Sequence, residues 1–249
     1  MSFNFRSDNE SPAAPAVLEA LLEANAGSAH SYGDDPYTAR LQATFAELFE
    51  TDVQVWPLAT GTAANALAIA QLCPPYGATF CHEHAHLHTD ECGAPEFFAG
   101  GAKLLPLPGA HAKIDADELA RVLASAGMLG DHESMPAALS LSQATEFGAV
   151  YSLDELKALT GLAREHGLRI HMDGARFANA VASLDSSPAE VTWRAGVDML
   201  SFGATKNGAV MAEALLVFNR DLADQLGRRR KRAGHLLSKM RFVSAQLCA

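Results

Sequence analysis

Short apolar runs alternate with helical patterns along most of this sequence, and this alternation limits the folds that the chain can adopt. It extends over residues 53–202, and each apolar run has the length of a buried strand. Because successive parallel strands are usually joined by a helix, the order predicts an α/β fold with a mostly parallel sheet and helices on both faces. Residues 211–218 are expected to return as one antiparallel strand, which makes the predicted sheet mixed. The expected strands are 53–58, 78–81, 102–107, 137–141, 168–173 and 197–202, and the expected helices are 15–25, 37–50, 66–72, 115–126 and 152–166.

The charge and composition argue against several classes of protein. The chain has 249 residues, 49% of them hydrophobic, and a formal net charge of -10. Its average field therefore repels phosphate and argues against a general binder of nucleic acid or anionic membranes. No apolar run reaches the length of a membrane span, and residues 1–6 lack the pattern of a secretory signal. The four cysteines show no CxxC spacing and fit reduced thiols, so we expect a cytoplasmic protein.

Two of the apolar runs end in side chains of opposite charge. The run at residues 168–172 ends at Asp173, with Arg176 three residues later, and the run at residues 197–202 leads to Lys206. A lone lysine after a strand is usually a surface charge. An acid and a lysine at two strand ends are, however, what a pyridoxal phosphate enzyme needs. The amine holds the cofactor aldehyde as a Schiff base, and the carboxylate keeps the pyridine nitrogen protonated.

Small and hydroxylated residues follow the first predicted strand. Residues 59–65, which include Gly61 and Thr62, lie between that strand and a helix. This geometry aims backbone N–H groups and the positive end of a helix dipole at an anion. Gly61 lets the backbone approach a phosphate closely, and Thr62 adds a hydroxyl donor. The segment has neither the Walker ending nor the GxGxxG pattern, and a plain helix cap is the alternative interpretation.

Three further features allow more than one interpretation. Four histidines alternate over residues 82–88 and would share one face of an extended segment, as a zinc site, a solvated polar edge, or a ring lying over a flat cofactor. No further Cys or His pair has ligand spacing, so we predict no metal site. The basic residues 228–232 are expected in a long helix, as a solvated face or as charge for a phosphate or a partner subunit. Tyr32 fits ordinary turn chemistry, and Ser7 fits a cap or turn.

These motifs together resemble those of the low-specificity L-threonine aldolases, which are pyridoxal phosphate enzymes of the aspartate aminotransferase fold type, fold type I. The similarity covers essentially the whole chain. Its most specific parts are HMDGAR at residues 171–176 and TKNG at residues 205–208. Weaker support comes from RSD at 6–8, YGDD at 32–35, GTAAN at 61–65, AH at 85–86, TDECGAPE at 89–96 and KMRF at 239–242.

The resemblance implies a set of cofactor contacts. Lys206 would hold the pyridoxal 5'-phosphate covalently, and Asp173 would pair with its pyridine nitrogen. Gly61 and Thr62 would bind the phosphate group. His86 would stack on the cofactor ring.

The resemblance also implies substrate contacts and an assembly. Arg176 would lie beside the ring hydroxyl and the substrate carboxylate, and Ser7 would help to hold that carboxylate. Tyr32 would reach into the active site of the neighbouring subunit. The working unit would therefore be a homodimer or homotetramer with shared active sites.

The implied reaction is a retro-aldol cleavage of β-hydroxy-α-amino acids. L-Threonine or L-allo-threonine would give glycine and an aldehyde, which makes the chain a carbon-carbon lyase. A base must take the proton of the substrate hydroxyl, a contribution of typically about 10² to 10⁴ in rate, and His86, alone or through a water, is the candidate. Another pyridoxal phosphate lyase or a hydroxymethyltransferase on the same fold is the alternative.

One departure from the family concerns the end of the chain. The sequence ends at Ala249, whereas members of the family continue into a smaller C-terminal domain that would supply a further arginine for the substrate carboxylate. We therefore expect residues 1–249 to form the large, cofactor-binding domain with an N-terminal helical segment at about residues 1–50, and the small domain to be absent or truncated. A catalytically weak remnant that still binds the cofactor is a third interpretation.

Overall fold

The computed structural model describes residues 6–249. Most of the segment on which the expectation about a secretory signal rests, residues 1–5, lies outside the described part. Seven strands form one sheet with the order β1-β7-β6-β5-β4-β2-β3. Strand β7 is antiparallel to both of its neighbours and the other pairs are parallel, so the mostly parallel mixed sheet and its antiparallel strand are confirmed. The strands are β1 Gln54–Leu58, β2 Gly77–His82, β3 Lys103–Leu107, β4 Met135–Ser142, β5 Arg169–Gly174, β6 Met199–Gly203 and β7 Glu213–Val217.

The predicted helices occur in the expected order, two of them with different bounds, and the helices at residues 86–89, 94–98, 177–184, 188–191 and 241–247 were not predicted. The helix expected at residues 66–72 begins at Gly61, and the basic helix has 7 residues and is not long. The histidine segment is not extended throughout, because residues 86–89 form a short helix. The helices are α1 Pro15–Ala24, α2 Pro36–Leu48, α3 Gly61–Leu72, α4 His86–Thr89, α5 Ala94–Phe98, α6 Ala116–Leu123, α7 Leu153–Glu165, α8 Phe177–Leu184, α9 Pro188–Val191, α10 Leu226–Arg232 and α11 Arg241–Leu247.

Both faces of the sheet are covered by helices. Successive residues of a strand point to opposite faces, and on β6 Met199 packs in a cluster with α3 while Leu200 packs in a second cluster with α2 and α7. Strand β4 divides in the same way, with Ala138 in the first cluster and Leu139 in the second. These strands are apolar along their length because both of their faces are buried. This two-sided core fixes the carboxyl ends of β4, β5 and β6 at one edge.

Helix α3 is almost entirely buried, which explains why its sequence shows no polar stripe. It consists largely of alanine with a few larger apolar residues, and 9 of its 12 residues are buried. Small side chains allow a helix to lie close to the sheet, so its first turn is held rigidly next to the strand ends. Within residues 6–249, no helix has both the length and the apolar character needed to cross a membrane.

Candidate active site

A cavity of about 370 Å³ opens at the carboxyl edge of the parallel strands. Open α/β sheets commonly bind ligands at this edge. Six of the eight predicted site residues line the cavity, whereas Ser7 and Tyr32 are not among its lining residues. The six are Gly61, Thr62, His86, Asp173, Arg176 and Lys206.

Lys206 and Asp173 are brought together by the close approach of two strand ends. Lys206 lies in a short 3-10 turn directly after β6, and Asp173 lies near the end of β5, with Ser201 as its register partner. The approach requires glycine: a Cβ at Gly203 would lie 2.6 Å from the carbonyl oxygen of Ala175. Any larger residue at Gly203 would push apart the two strand ends that carry the amine and the carboxylate.

Asp173 is a buried carboxylate whose oxygens both accept hydrogen bonds. The residue is only 6% exposed. The amide Nδ2 of Asn65 donates to Oδ2 over 2.8 Å, and the backbone N–H of Ala175 donates to Oδ1 over 3.0 Å. Hydrogen bonds to the ionised form offset the cost of burying a charge, so the site holds a fixed negative charge.

The N-terminus of α3 supplies an anion-binding end to the cavity. Thr60 caps the helix, with its hydroxyl accepting from the N–H of Ala63 over 3.2 Å. Gly61 and Thr62 form the first turn and line the cavity, and a Cβ at Gly61 would meet no atom within 4 Å. The cap that the sequence offered as the alternative is therefore present, and the same helix end opens into the cavity, where an anion site stays a prediction.

Arg176 is engaged with an acidic residue that the sequence analysis did not single out. Its Nε and Nη2 donate to the two carboxylate oxygens of Asp8 over 2.6 and 3.1 Å. Burial opposes the ionisation of Asp8, but this bidentate bond and the charges of Arg176 and Lys206 hold the pKa of Asp8 below its usual range. Ser7 acts as the cap of the following turn, since its hydroxyl accepts from the N–H of Asn9 over 3.2 Å.

A chain of hydrogen bonds connects His86 with Asp173. The imidazole Nδ1 of His86 lies 2.9 Å from Oε1 of Glu91, and Asn65 Nδ2 lies 2.7 Å from the same oxygen. Asn65 thus uses both amide hydrogens, one on Glu91 and one on Asp173. Asn65 and Glu91 both occur in motifs of the sequence, but their contacts span 26 and 108 positions along the chain and have no local signal.

Two more carboxyl groups line the cavity. Glu146 accepts hydrogen bonds at Oε1 from the backbone N–H of His86 over 2.9 Å and from the hydroxyl of Ser142 over 2.7 Å. Its second oxygen is buried without a partner. Glu213, on β7, is 7% exposed, and burial raises its pKa to about 7, with Thr205 and Lys206 opposing that shift. Glu213 was not singled out in the sequence, because acidic residues at strand ends are common.

The raised pKa of Glu213 predicts a pH-dependent stability. The group is protonated more readily in the folded chain than at its ordinary pKa of 4.5. The raised pKa therefore leaves the free energy of unfolding unchanged below about pH 4.5. It lowers that free energy progressively as the pH rises towards 7, and by a constant amount above that. We expect Glu213→Gln to raise the free energy of unfolding by on the order of 2 kcal/mol near pH 8 and to leave it unchanged near pH 4.

Urea unfolding at the two pH values measures this difference. The exposed residue Glu47 on α2 offers the matched control, because Glu47→Gln makes the same chemical change without burial. Equal effects of Glu213→Gln at both pH values would show that the Glu213 carboxyl titrates alike in the folded and unfolded chain.

The remaining sequence candidates lie apart from the cavity. His82 contacts the carbonyl oxygen of Gly109 over 3.0 Å and His86 lies on α4, so the alternating histidines do not share one face. Among the residues described by the structure, no group of three or more His, Cys, Asp or Glu side chains could hold a metal ion. Tyr32 is 50% exposed, with Lys231 Nζ 5.1 Å from its ring centroid. In the basic helix, Arg230 is buried against Trp56, so that helix is not simply a solvated face.

Known proteins are similar in sequence and in fold over nearly the whole chain. The family model described as "Beta-eliminating lyase" matches residues 4–248. The low specificity L-threonine aldolase of Pseudomonas aeruginosa is 50% identical, with 97% of this chain and 69% of that protein covered. A solved threonine aldolase structure from Leishmania major has a TM-score of 0.92 at 28% identity, covering 99% of this chain and 71% of the other.

Cystalysin from Treponema denticola, whose crystal structure contains pyridoxal 5'-phosphate, has a TM-score of 0.67 at 14% identity and covers 96% of this chain and 62% of that one. This more distant likeness concerns the fold alone, and it confirms the predicted fold class. The chain belongs to the beta-eliminating lyase family and, within it, to the low-specificity L-threonine aldolases.

Proposed function

We propose that this chain is a pyridoxal phosphate-dependent aldolase that cleaves L-threonine and L-allo-threonine to glycine and acetaldehyde. The observation that carries the proposal is the convergence of three groups on one cavity: the amine of Lys206, the buried carboxylate of Asp173 and the N-terminus of α3. The relatives that carry the name threonine aldolase support the substrate class.

The residues of the cavity fit the cofactor. Pyridoxal phosphate presents an aldehyde, a ring nitrogen and a phosphate, and the cavity offers an amine, a carboxylate held ionised by two hydrogen bonds, and a helix N-terminus. Glu91 and Glu146 each have a buried side-chain oxygen without a partner at this wall. Buried oxygens without donors are rare in proteins and are consistent with a ligand that supplies donors.

Each residue then has a role that follows from its chemistry. When bound, the cofactor supplies an electron sink for the negative charge left on the substrate Cα. Lys206 would hold the cofactor covalently, and Asp173 would keep its ring nitrogen protonated. The N–H groups and hydroxyl of Gly61 and Thr62 would bind the phosphate. His86 would accept the proton of the substrate hydroxyl.

The substrate carboxylate is proposed to bind at Arg176, assisted by Ser7. Because Arg176 already forms a bidentate bond with Asp8, a carboxylate ligand must share or replace that partner. The guanidinium is planar and carries further donors, so it can bind a second carboxylate without losing the first.

The assembly and the cellular location are part of the same proposal. Tyr32 is half exposed and lies outside the cavity of its own chain, which is consistent with a contact to the site of a neighbouring subunit in a homodimer or homotetramer. All four cysteines are free thiols, as is usual in the cytoplasm. Residues 1–249 would form the cofactor-binding large domain, with a helical segment at about residues 1–50.

Incubation with amino acids tests the function. The purified protein, supplied with pyridoxal phosphate, should absorb in the near-visible and should release acetaldehyde from L-threonine and L-allo-threonine, as followed with alcohol dehydrogenase and NADH. Pyruvate from L-serine would indicate a β-eliminating lyase, and transfer of a one-carbon unit to tetrahydrofolate would indicate a hydroxymethyltransferase. Cofactor binding without turnover of any β-hydroxy amino acid would indicate a catalytically weak remnant.

A further inference from the structure

Glu91 is the most deeply buried acidic side chain at the cavity, and the proposed reaction does not yet use it. Its side chain has 0% exposure, whereas the side chain of its partner His86 is 41% exposed. Fully burying an ionisable group is costly unless the charge is paired and hydrogen-bonded. The position of Glu91 behind an imidazole that faces the cavity therefore calls for a functional explanation.

The hydrogen bonds around Glu91 bear on which nitrogen of His86 carries a hydrogen. Oε1 of Glu91 lies 2.7 Å from Asn65 Nδ2 and 2.9 Å from His86 Nδ1. Asn65 donates one hydrogen to Glu91 and the other to Asp173, so its amide is locked between two carboxylates. An ionised carboxylate can only accept hydrogen bonds, so with Glu91 ionised Nδ1 is the donor. In neutral His86 this leaves Nε2 as the nitrogen with a free lone pair.

On balance, the surroundings of His86 raise its pKa. The hydrogen bond with Glu91 raises the pKa of His86, burial opposes this, and the charges of Glu91 and Asp173 raise it while Lys206 lowers it. The side chain of Glu146 accepts a hydrogen bond from the backbone N–H of His86. Burial raises the pKa of Glu91 itself, and the bonds from His86 and Asn65 offset part of that effect.

We propose that Glu91 is a positioning residue that holds His86 in the Nδ1–H tautomer, so that Nε2 accepts the proton of the substrate hydroxyl. This inference rests on the proposed aldolase function. A histidine base commonly depends on a carboxylate behind it for its tautomer and its orientation. Asn65 extends the arrangement to Asp173 by donating a hydrogen bond to each carboxylate.

Nuclear magnetic resonance of the wild-type holoenzyme tests the tautomer directly. In protein labelled with ¹⁵N-histidine, with the His86 signals identified by comparison with His86→Asn, neutral His86 should carry its hydrogen on Nδ1. A neutral His86 with its hydrogen on Nε2 would overturn the inference. This readout needs no turnover, so it stands even if threonine is not the substrate.

Glu91→Gln tests the positioning role. The amide keeps the shape but removes the charge, so we expect the pKa of His86 to fall. The acid limb of the kcat/KM profile, where protonation removes the base, should move to lower pH, and the plateau should drop on the order of 10- to 100-fold. Glu96→Gln, in α5, is the matched control because Glu96 is partly buried, lies nearby in the chain and is outside the cavity. It should leave both the titration and the profile unchanged.

A double-mutant cycle separates positioning from a general structural role. If Glu91 acts through His86, adding Glu91→Gln to His86→Asn should cause no further loss of kcat/KM. Losses that multiply, or a His86 titration that Glu91→Gln leaves unchanged, would overturn the inference while leaving the aldolase function intact. If the wild-type protein fails to cleave threonine, the proposed function fails, and the tautomer and the titration of His86 still decide the role of Glu91.

Discussion

Replacing Lys206 with alanine should abolish the cleavage of L-threonine, with kcat/KM lower by on the order of 10⁴-fold or more. Among the lining residues of the described chain, Lys206 supplies the only primary amine of the cavity, so no neighbour can take over the covalent attachment of the cofactor. Acetaldehyde release measured with alcohol dehydrogenase and NADH gives the rate. Mass spectrometry after borohydride treatment should find the cofactor fixed to the wild-type peptide that contains Lys206 and to no peptide of the variant.

Two further measurements test this prediction. Lys157→Ala removes an exposed amine on α7, outside the cavity, and should leave both the rate and the borohydride product unchanged. The variant at Lys206 should still bind some cofactor, because the N-terminus of α3 and Asp173 remain. Threonine cleavage at the wild-type rate in Lys206→Ala would show that the reaction does not use this amine.

Replacing Asp173 with asparagine is expected to lower kcat by on the order of 10² to 10³-fold. The amide has nearly the same shape, so Asn65 and Ala175 can keep much of their packing, but the fixed negative charge is lost. Without that charge the ring nitrogen of the cofactor is not held protonated, and negative charge on the substrate Cα is stabilised less well. The measurement is kcat at saturating threonine and cofactor, together with the absorption spectrum of the variant.

Asp198 provides a matched control for this substitution. It is also buried, at 5% exposure, and it accepts a hydrogen bond from the N–H of Ile170 over 2.8 Å, but it does not line the cavity. We expect Asp198→Asn to reduce stability and to leave kcat of the folded enzyme within about twofold. An unimpaired kcat in Asp173→Asn would show that the charge of Asp173 has no part in the reaction.

The strands and the charged residues at their ends could be predicted because their signals are local. A run such as residues 197–202 is apolar because both faces of β6 are buried, and Lys206 lies in the 3-10 turn that follows the strand. The first turn of α3 was wrongly assigned to a loop, because Gly61 is a poor helix former; tertiary packing and the Thr60 cap override that preference. The extended histidine segment was wrong for a similar reason, since the alternation of His86 and His88 with other residues continues into a helical turn.

The wall of the cavity could not be predicted, because it is made by contacts between distant parts of the chain. Asn65, Glu91 and Asp173 come from α3, the loop before α5 and β5. Asp173 stands out at its strand end, but nothing local marks Asn65 and Glu91 as its neighbours, and only the fold places one amide between two carboxylates. The partner of Arg176 was missed for the same reason, since Asp8 lies 168 positions away along the chain. The proposed contact of Tyr32 with a second subunit remains a prediction.

The position of β7 in the sheet has a consequence for how the protein is made. In the described sheet, β1 is an edge strand whose only neighbour is β7, near the other end of the chain. During synthesis on the ribosome, the segment that leads into α3 must therefore wait until residues 213–217 have emerged, and closing so long a loop is slow. We therefore expect the cofactor pocket to take its final form late, so that the vitamin-derived ligand acts mainly by stabilising the finished sheet.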